Sequence, residues 1–566
     1  MKADKRFLVL LLAACLMLLP FLGLTDYHTK GEPRESIVAY SMLESGNWIL
    51  PENNGGDMAY KPPFFHWMIT LFSVVGGAVS EYSSRLPSAV ALIVMVVVGY
   101  LFFARRRGKE EALLMGLITL TNFEVHRAGF ACRVDMVLTA CIVLALYALY
   151  CWWERGLKGV PWLAALLMGC ATLTKGPVGF LLPCMVGGLF LWMREGSFWR
   201  AFWKMALAGG LSCVLPTLWY VAAYQQGGDE FMALVMEENL HRFVGKMSYA
   251  SHENPISYNF ISVIAGYVPY TLLALLALPL MKFARPKFDL KAWWERTKEY
   301  FRTMDPARLF ALLSILVIFV FYCIPKSKRS VYLLPIYPFI ALFLAEWMLS
   351  MYRNRNRALK WFGALMAGLN LLLLAVFAVV RMGWIPESLF GGRHGAENWA
   401  MVQALEQASI PFWGWIVILL PAALALWMVV RVLRSGDYRR ILVTTIASVA
   451  LLFVALDGVY QPTVLNVKSD KQMAADVAEF VPEGPIYSYV SADMLRFYVV
   501  NFYTDNRVLL FEREQPESGY LLIGRKDAEQ FLPTQQERYT FEQVYESTKR
   551  GCDVKDIIRL YRFNLK

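Results

Sequence analysis

Apolar runs of bilayer-spanning length recur from one end of this chain to the other, and no other feature restricts its fold so severely. A lipid-spanning helix needs about 17–25 mostly apolar residues. Stretches of that kind fall at about 6–24, 85–104, 109–124, 133–152, 160–175, 176–193, 204–223, 259–281, 307–324, 331–350, 359–380, 411–433 and 440–460. The pattern predicts a polytopic α-helical membrane protein with about thirteen spans. Composition agrees, with 57 % hydrophobic and only 18 % charged residues, where soluble domains carry roughly 25 % charged residues.

The net charge of +11 does not point to nucleic acid, because the excess cations sit in short loops between spans. With the N-terminus inside, the inner loops carry Arg105-Arg106-Arg107, Arg155/Lys158, Arg194/Arg200/Lys204, Lys282–Arg308, Arg353/Arg355/Arg357 and Arg431/Arg434/Arg439/Arg440. That bias is the positive-inside signature. It places the first loop (25–84) and everything after the last span outside. Lys5-Arg6 before the first apolar run resembles a signal peptide, and residues 12–15 resemble a lipoprotein cleavage box. The run continues nine residues beyond Cys15, however, so a retained span is expected. Trp293-Trp294 among the cations of 282–308 suit a helix lying on the anionic inner leaflet. From Gln461 the composition turns soluble. Pro485–Val490, Arg507–Phe511, Tyr520–Ile523 and Ile557–Phe563 read as strands, and Asp470–Phe480 and Ser491–Asn501 as helices. The expected division is therefore a transmembrane domain over 1–460 and an external α/β domain over 461–566. Most of the nine cysteines lie in apolar runs and read as small core residues. A Cys132–Cys552 disulfide is the one pairing left open.

The ionisable residues outside the inner loops gather on the other side. Glu32, Arg34 and Lys61 lie in the first outer loop, followed by Glu124, His126, Arg127, Arg133 and Asp135, then Lys175, then Glu237 to Arg242 with His252, then Lys326 to Arg329. A transporter would carry such groups at mid-membrane depth or on broken helices in paired halves; Glu346 and Asp457 are the main exceptions, both towards span ends. Arg34 and Lys61 near a carboxylate, beside a membrane surface, suit a phosphate-bearing lipid and one proton acceptor. Blander readings stand beside this one. Glu32 can complement a helix N-terminus, Lys61 can snorkel, Asp135 can pair with Arg133 or Arg127, and Trp48 and Trp67 can belong to an interfacial belt.

Several motifs, in order along residues 1 to about 350, carry a family resemblance. They are Gly31-Glu32-Pro33-Arg34-Glu35 with Gly46-Asn47-Trp48, then Tyr60-Lys61-Pro62-Pro63, then Leu173-Thr174-Lys175-Gly176-Pro177-Val178-Gly179, then Glu238 to Phe243 with His252 and Pro255, and Ser327-Lys328-Arg329 with Tyr332 to Pro335. In these the chain resembles the GT-C glycosyltransferases that use polyprenyl-phosphate sugars, in particular the lipid A aminoarabinose transferases, kin to the protein O-mannosyltransferases. The resemblance implies a multi-pass inner-membrane enzyme of GT-C fold with a periplasmic site. Its donor would be an undecaprenyl-phosphate sugar and its acceptor lipid A or another envelope molecule. It assigns Glu32 (with Asp26 behind it) and Asp135 as acids and Lys61 and Lys175 to the donor phosphate; the charge that grows on that phosphate makes Arg34, Arg242, Lys328 and Arg329 further candidates, with Tyr60, His252 and Tyr332 close by. A divalent metal in that branch would fall to His252, while the acid expected before the lysine is Tyr60 here. Displacement from the donor would invert the anomeric centre. Protein O-glycosylation is the alternative within the class. Outside it stand a flippase of lipid-linked sugar and a scaffold of an envelope-glycan complex.

Overall fold

The computed structural model describes residues 4–241, 253–281, 290–392, 394–492 and 495–566, and every predicted apolar stretch is helical in it. In chain order these begin with α1 (Lys5–Leu18). The first loop then holds α2 (Pro33–Ser45) and α3 (Phe64–Gly76), and α4 (Glu81–Ala104), α5 (Lys109–Leu120), α6 (Phe123–Gly129), α7 (Val134–Glu154), α8 (Trp162–Lys175), α9 (Val178–Glu195), α10 (Phe198–Ser212) and α11 (Val214–Met236) follow. Eight helices among the described residues are long and apolar enough to cross a membrane, and ten if each of two bent pairs is one span. The bent pairs are α10 with α11, at 41°, and Ser257–Gly266 with Tyr270–Leu280, at 100°. The other three predicted spans became α1, α5 and α8, of 14, 12 and 14 residues. At 1.5 Å per residue these reach about 18–21 Å, short of the roughly 30 Å hydrocarbon core. Polar stops cut them: the Asn122 side chain accepts from Val125 N to start α6, and Gly176 ends α8.

Two compact units emerge. The first comprises Met1–Pro20, Ser88–Val376 and Pro411–Leu456. Its interior is apolar and aromatic: Tyr147 stacks on Phe102 at 4.4 Å, and Tyr150 packs edge-on against Phe310 at 5.1 Å. The Arg105–Arg107 corner is tied by charge, with Arg107 meeting Glu346 at 2.6 Å and Glu111 at 3.1 Å while Arg308 reaches Glu346 at 3.3 Å. Glu346, one of the acids that departed from the one-sided pattern, thus belongs to the basic side.

The second unit comprises Phe21–Pro87, Phe377–Ile410 and Asp457–Lys566. The soluble C-terminal segment therefore begins close to the expected residue, but it shares a unit with the first loop. Five strands, β3 (Ile486–Tyr489), β4 (Val508–Leu510), β5 (Ser518–Gly524), β6 (Tyr539–Arg550) and β7 (Ile557–Leu565), follow a small hairpin of β1 (Glu52–Asn53) and β2 (Asp57–Met58). The sheet order is β4-β3-β5-β7-β6, parallel from β4 to β5 and antiparallel beyond. β6 escaped the sequence reading because its run, YTFEQVYESTKR, is largely polar. It is one of the sheet's two edge strands, where charge keeps the free edge from pairing. Of the helix expected over 491–501, the structure keeps Tyr498–Tyr503. The first loop is pinned to this α/β layer. Arg496 grips Asp57 through two bonds of 3.1 and 3.2 Å, Asn501 Nδ2 donates to Asn54 Oδ1 at 2.8 Å, and Ser469 Oγ donates to the Tyr27 carbonyl at 2.6 Å. All nine cysteines are free, Cys132 and Cys552 included.

Candidate active site

α2 begins as its sequence directs, with Pro33 in the first turn, where a missing N–H costs nothing. It ends at Gly46, whose φ of 69° lies in the left-handed region that glycine enters freely. Asn47 then closes the turn, its Oδ1 accepting from Ile49 N and Leu50 N at 3.1 Å each. Glu32, the N-cap of α2, and Glu35, in its first turn, stand three residues apart, and different partners decide what each one does. Both Glu32 oxygens are taken by Arg85, at 2.9 Å from Nε and 3.1 Å from Nη2. Arg85 Nη1 in turn donates to the carbonyls of Leu22 and Thr25 at 2.8 and 2.6 Å. That is a buried brace between loop and helix.

Glu35 is the centre that the sequence reading passed over. Its Oε1 accepts from Lys61 Nζ at 2.6 Å and from Arg34 Nη2 at 3.2 Å, and its Oε2 meets His66 Nε2 at 2.9 Å. Lys61 reaches this position because Pro62 and Pro63 fix the chain immediately before α3, which carries His66 one turn in. The Glu35 side chain is 6 % exposed, whereas Lys61 is 28 % and Arg34 46 % exposed. The carboxylate is therefore shielded while the cations can meet a ligand. Burial alone would raise the Glu35 carboxyl. Lys61, the His66 hydrogen bond and Arg34 outweigh it and hold the group well below the ordinary carboxylate range. His66 is buried, and its Nδ1 has no hydrogen-bond partner.

The first unit holds a second cluster. Asp135, in the opening turn of α7, is ion-paired with Lys175, the last residue of α8. Lys175 Nζ also lies 4.6 Å from the centre of the Tyr332 ring, within cation–π range, and Tyr332 stacks on Tyr322. The glycines of the 173–179 motif are set by space. Gly176 has φ of 85°, and a Cβ on Gly179 would stand 2.3 Å from Thr172 N. Lys328 is buried, and its Nζ donates to the Pro325 carbonyl at 2.5 Å. Arg127 pairs with Glu124 at 2.8 Å rather than with Asp135. Arg242 and His252 lie outside the described residues. Between α9 and α10 runs an apolar cleft of about 650 Å³, lined by residues such as Phe180, Met185, Trp192 and Met205 and by no charged side chain.

Comparison with known proteins follows the same lines. Residues 60–220 match the family model described as dolichyl-phosphate-mannose-protein mannosyltransferase. The undecaprenyl phosphate-alpha-4-amino-4-deoxy-L-arabinose arabinosyl transferase of Shewanella sediminis is 28 % identical over 394 residues, 68 % of this chain and 67 % of that one. The enzyme of the same name from Pseudomonas savastanoi pv. phaseolicola is 28 % identical over 452 residues, 75 % of this chain and 79 % of that one. The crystal structure of ArnT from Cupriavidus metallidurans bound to undecaprenyl phosphate superposes with a TM-score of 0.68 at 19 % identity, covering 99 % of this chain and 98 % of that one. The chain has the fold of ArnT. Its likeness to ArnT runs through the C-terminal α/β segment as well as the spans.

The chemistry on offer in this fold is that of two cation-rich sets. Lys61 and Arg34 surround a low-pKa carboxylate, and Lys175 is fixed by Asp135 and Tyr332. The metal pair implied by the resemblance does not fit the donors present, since its acid is a tyrosine phenol at Tyr60.

Proposed function

We propose that this protein is an integral-membrane glycosyltransferase that moves a sugar from undecaprenyl phosphate to a cell-envelope acceptor, lipid A foremost, at the periplasmic face of the inner membrane. The ArnT-like fold and the names borne by its relatives support the class. The observation that carries the reading is the state of Glu35. A polyprenyl phosphate leaving group gains negative charge as the sugar–oxygen bond breaks, and cations in a shielded setting stabilise that charge. Lys61 and Arg34 are assigned this role in the second unit, and Lys175, Lys328, Arg329 and Arg242 are the counterparts proposed in the first. A carboxylate that Lys61, Arg34 and a hydrogen bond from His66 hold well below its ordinary range is a poor proton acceptor. Glu35 therefore serves to aim Lys61 and Arg34, Asp135 serves Lys175 in the same way, and Glu32, occupied by Arg85, is a brace rather than a base. Such a site favours an acceptor that brings its own anion, as a phosphate of lipid A does, over a hydroxyl that must be deprotonated. Direct displacement inverts the anomeric centre. The match to a protein mannosyltransferase model over residues 60–220 favours a second reading, with protein as acceptor.

Purified protein with radiolabelled undecaprenyl-phosphate sugars and an envelope extract separates these readings. Label should arrive in lipid A and be lost with Lys61→Ala. Label in protein would move the acceptor while keeping the chemistry. Movement of intact lipid between leaflets without transfer would overturn the enzyme reading.

A further inference from the structure

The C-terminal α/β segment holds a cluster that the transfer reaction does not use. Asp470 stands at the N-cap position of the helix Lys471–Phe480, and Cys552 and Asp553 lie in the turn between β6 and β7. The ligand atoms of these three side chains fall within 4.8 Å of one another, and all three residues are buried, at 2, 7 and 5 % exposure. Each carboxylate has one oxygen fixed by backbone: Cys552 N donates to Asp470 Oδ2 and Val499 N to Asp553 Oδ2, both at 2.8 Å. The other oxygen of each, Oδ1, is buried without a hydrogen-bond partner, and the Cys552 thiol lies beside the Asp470 carboxyl.

Two buried carboxylates with unpartnered oxygens are costly. Lys549, a nearby cation, spends its Nζ on the carbonyls of Val467 and Ser469 at 2.5 Å each. We propose that Asp470, Cys552 and Asp553 form a structural site for a borderline-soft divalent cation of the zinc class. A thiolate beside carboxylates selects such an ion over calcium or magnesium. A tetrahedral zinc ion would take one atom from each residue, with edges of about 3.5 Å and a fourth position for water. The backbone N–H bonds to the Oδ2 atoms orient the carboxylates, as outer contacts do at metal sites. The ion would tie the β6–β7 turn to the helix Lys471–Phe480 and, through Val499, to Tyr498–Tyr503, the helix that packs against α2. The site does not depend on the acceptor or on the transfer reaction.

The test uses the full, tag-free chain in detergent, stripped with chelator and titrated with Co²⁺ and then Zn²⁺. The expected result is a thiolate-to-cobalt charge-transfer absorption, one equivalent of zinc by elemental mass spectrometry, and a rise in unfolding temperature on loading. Cys552→Ala should abolish the absorption, and Asp553→Asn should weaken zinc binding by at least about 10-fold. Absence of both the absorption and the bound zinc in the unmutated protein overturns the proposal, whatever the variants do. So does a metal retained unchanged in Cys552→Ala.

Discussion

At the scale of the residue, the informative contrast is between Glu32 and Glu35. Both were visible in one motif, three positions apart on a helix start, and nothing local separates two acids so placed. What separates them lies elsewhere in the chain: Arg85 for one, Lys61 and His66 for the other. The sequence therefore showed the helix, the lysine and the charge pattern, but not which carboxylate the lysine would meet. The two sets should also fail differently. Arg85→Ala leaves Glu32 buried without its cation, a loss of about 3–5 kcal/mol, and should appear as a lowered unfolding temperature with poor yield. Lys61→Ala removes a half-exposed cation and should leave unfolding nearly unchanged while kcat/KM for the donor falls by about 10²–10³. The pH dependence has a definite sign. Glu35 is depressed in the fold, so its contribution to stability is fully present above the unfolded carboxyl value of about 4.3. It is lost as pH falls through the lower folded value. Unfolding temperature should drop on acidification below about pH 4, and Glu35→Gln should flatten that limb; an unchanged limb would remove Glu35 from the account.

At the scale of the element, hydropathy exposed the long apolar helices among the described residues but not their bends or their shortfalls. Length is a weak signal when a helix is stopped by a cap, as α5 is by Asn122, or by a glycine, as α8 is by Gly176. Nor does hydropathy see an edge strand such as β6, whose alternation is carried by Glu, Gln, Ser and Lys. The α8–α9 turn shows how tightly an element can fix a side chain. A Cβ at Gly179 would lie 2.3 Å from Thr172 N and 2.4 Å from the Ala171 carbonyl carbon. These are backbone atoms that cannot swing aside. Gly179→Ala should open the turn that holds Lys175 over Tyr332, at a cost of about 1–3 kcal/mol, and lower stability and transfer together. Gly188→Ala, whose Cβ would meet only Met205 Cγ at an ordinary 3.5 Å, is the control and should change neither.

At the scale of the whole molecule, the second unit constrains the membrane topology more than hydropathy does. Residues 21–87, 377–410 and 457–566 form one compact unit, with Arg496 on Asp57 and Lys468 within 3.4 Å of Glu397, so all three segments must lie on one side of the bilayer. The chain between Pro87 and Phe377 must then cross an even number of times. Counting each bent pair as one span, the helices from α4 to Arg357–Arg381 give ten crossings if α5 and α8 both traverse and eight if neither does; one without the other is forbidden. Between Ile410 and Asp457 the two spans Phe412–Ser435 and Tyr438–Lys468 return the chain to the same side. With Lys and Arg concentrated in the opposite loops, the outer side is the one we propose for this unit. Alkaline phosphatase joined after Lys566, or inserted at Gly391-Gly392, should therefore be active in both cases. An insertion between Arg353 and Arg357 should be silent. Opposite outcomes at Lys566 and Gly391 would split the second unit across the membrane, which its own contacts do not allow, and would refute the topology and the outward placement of Glu35 and Lys61 together.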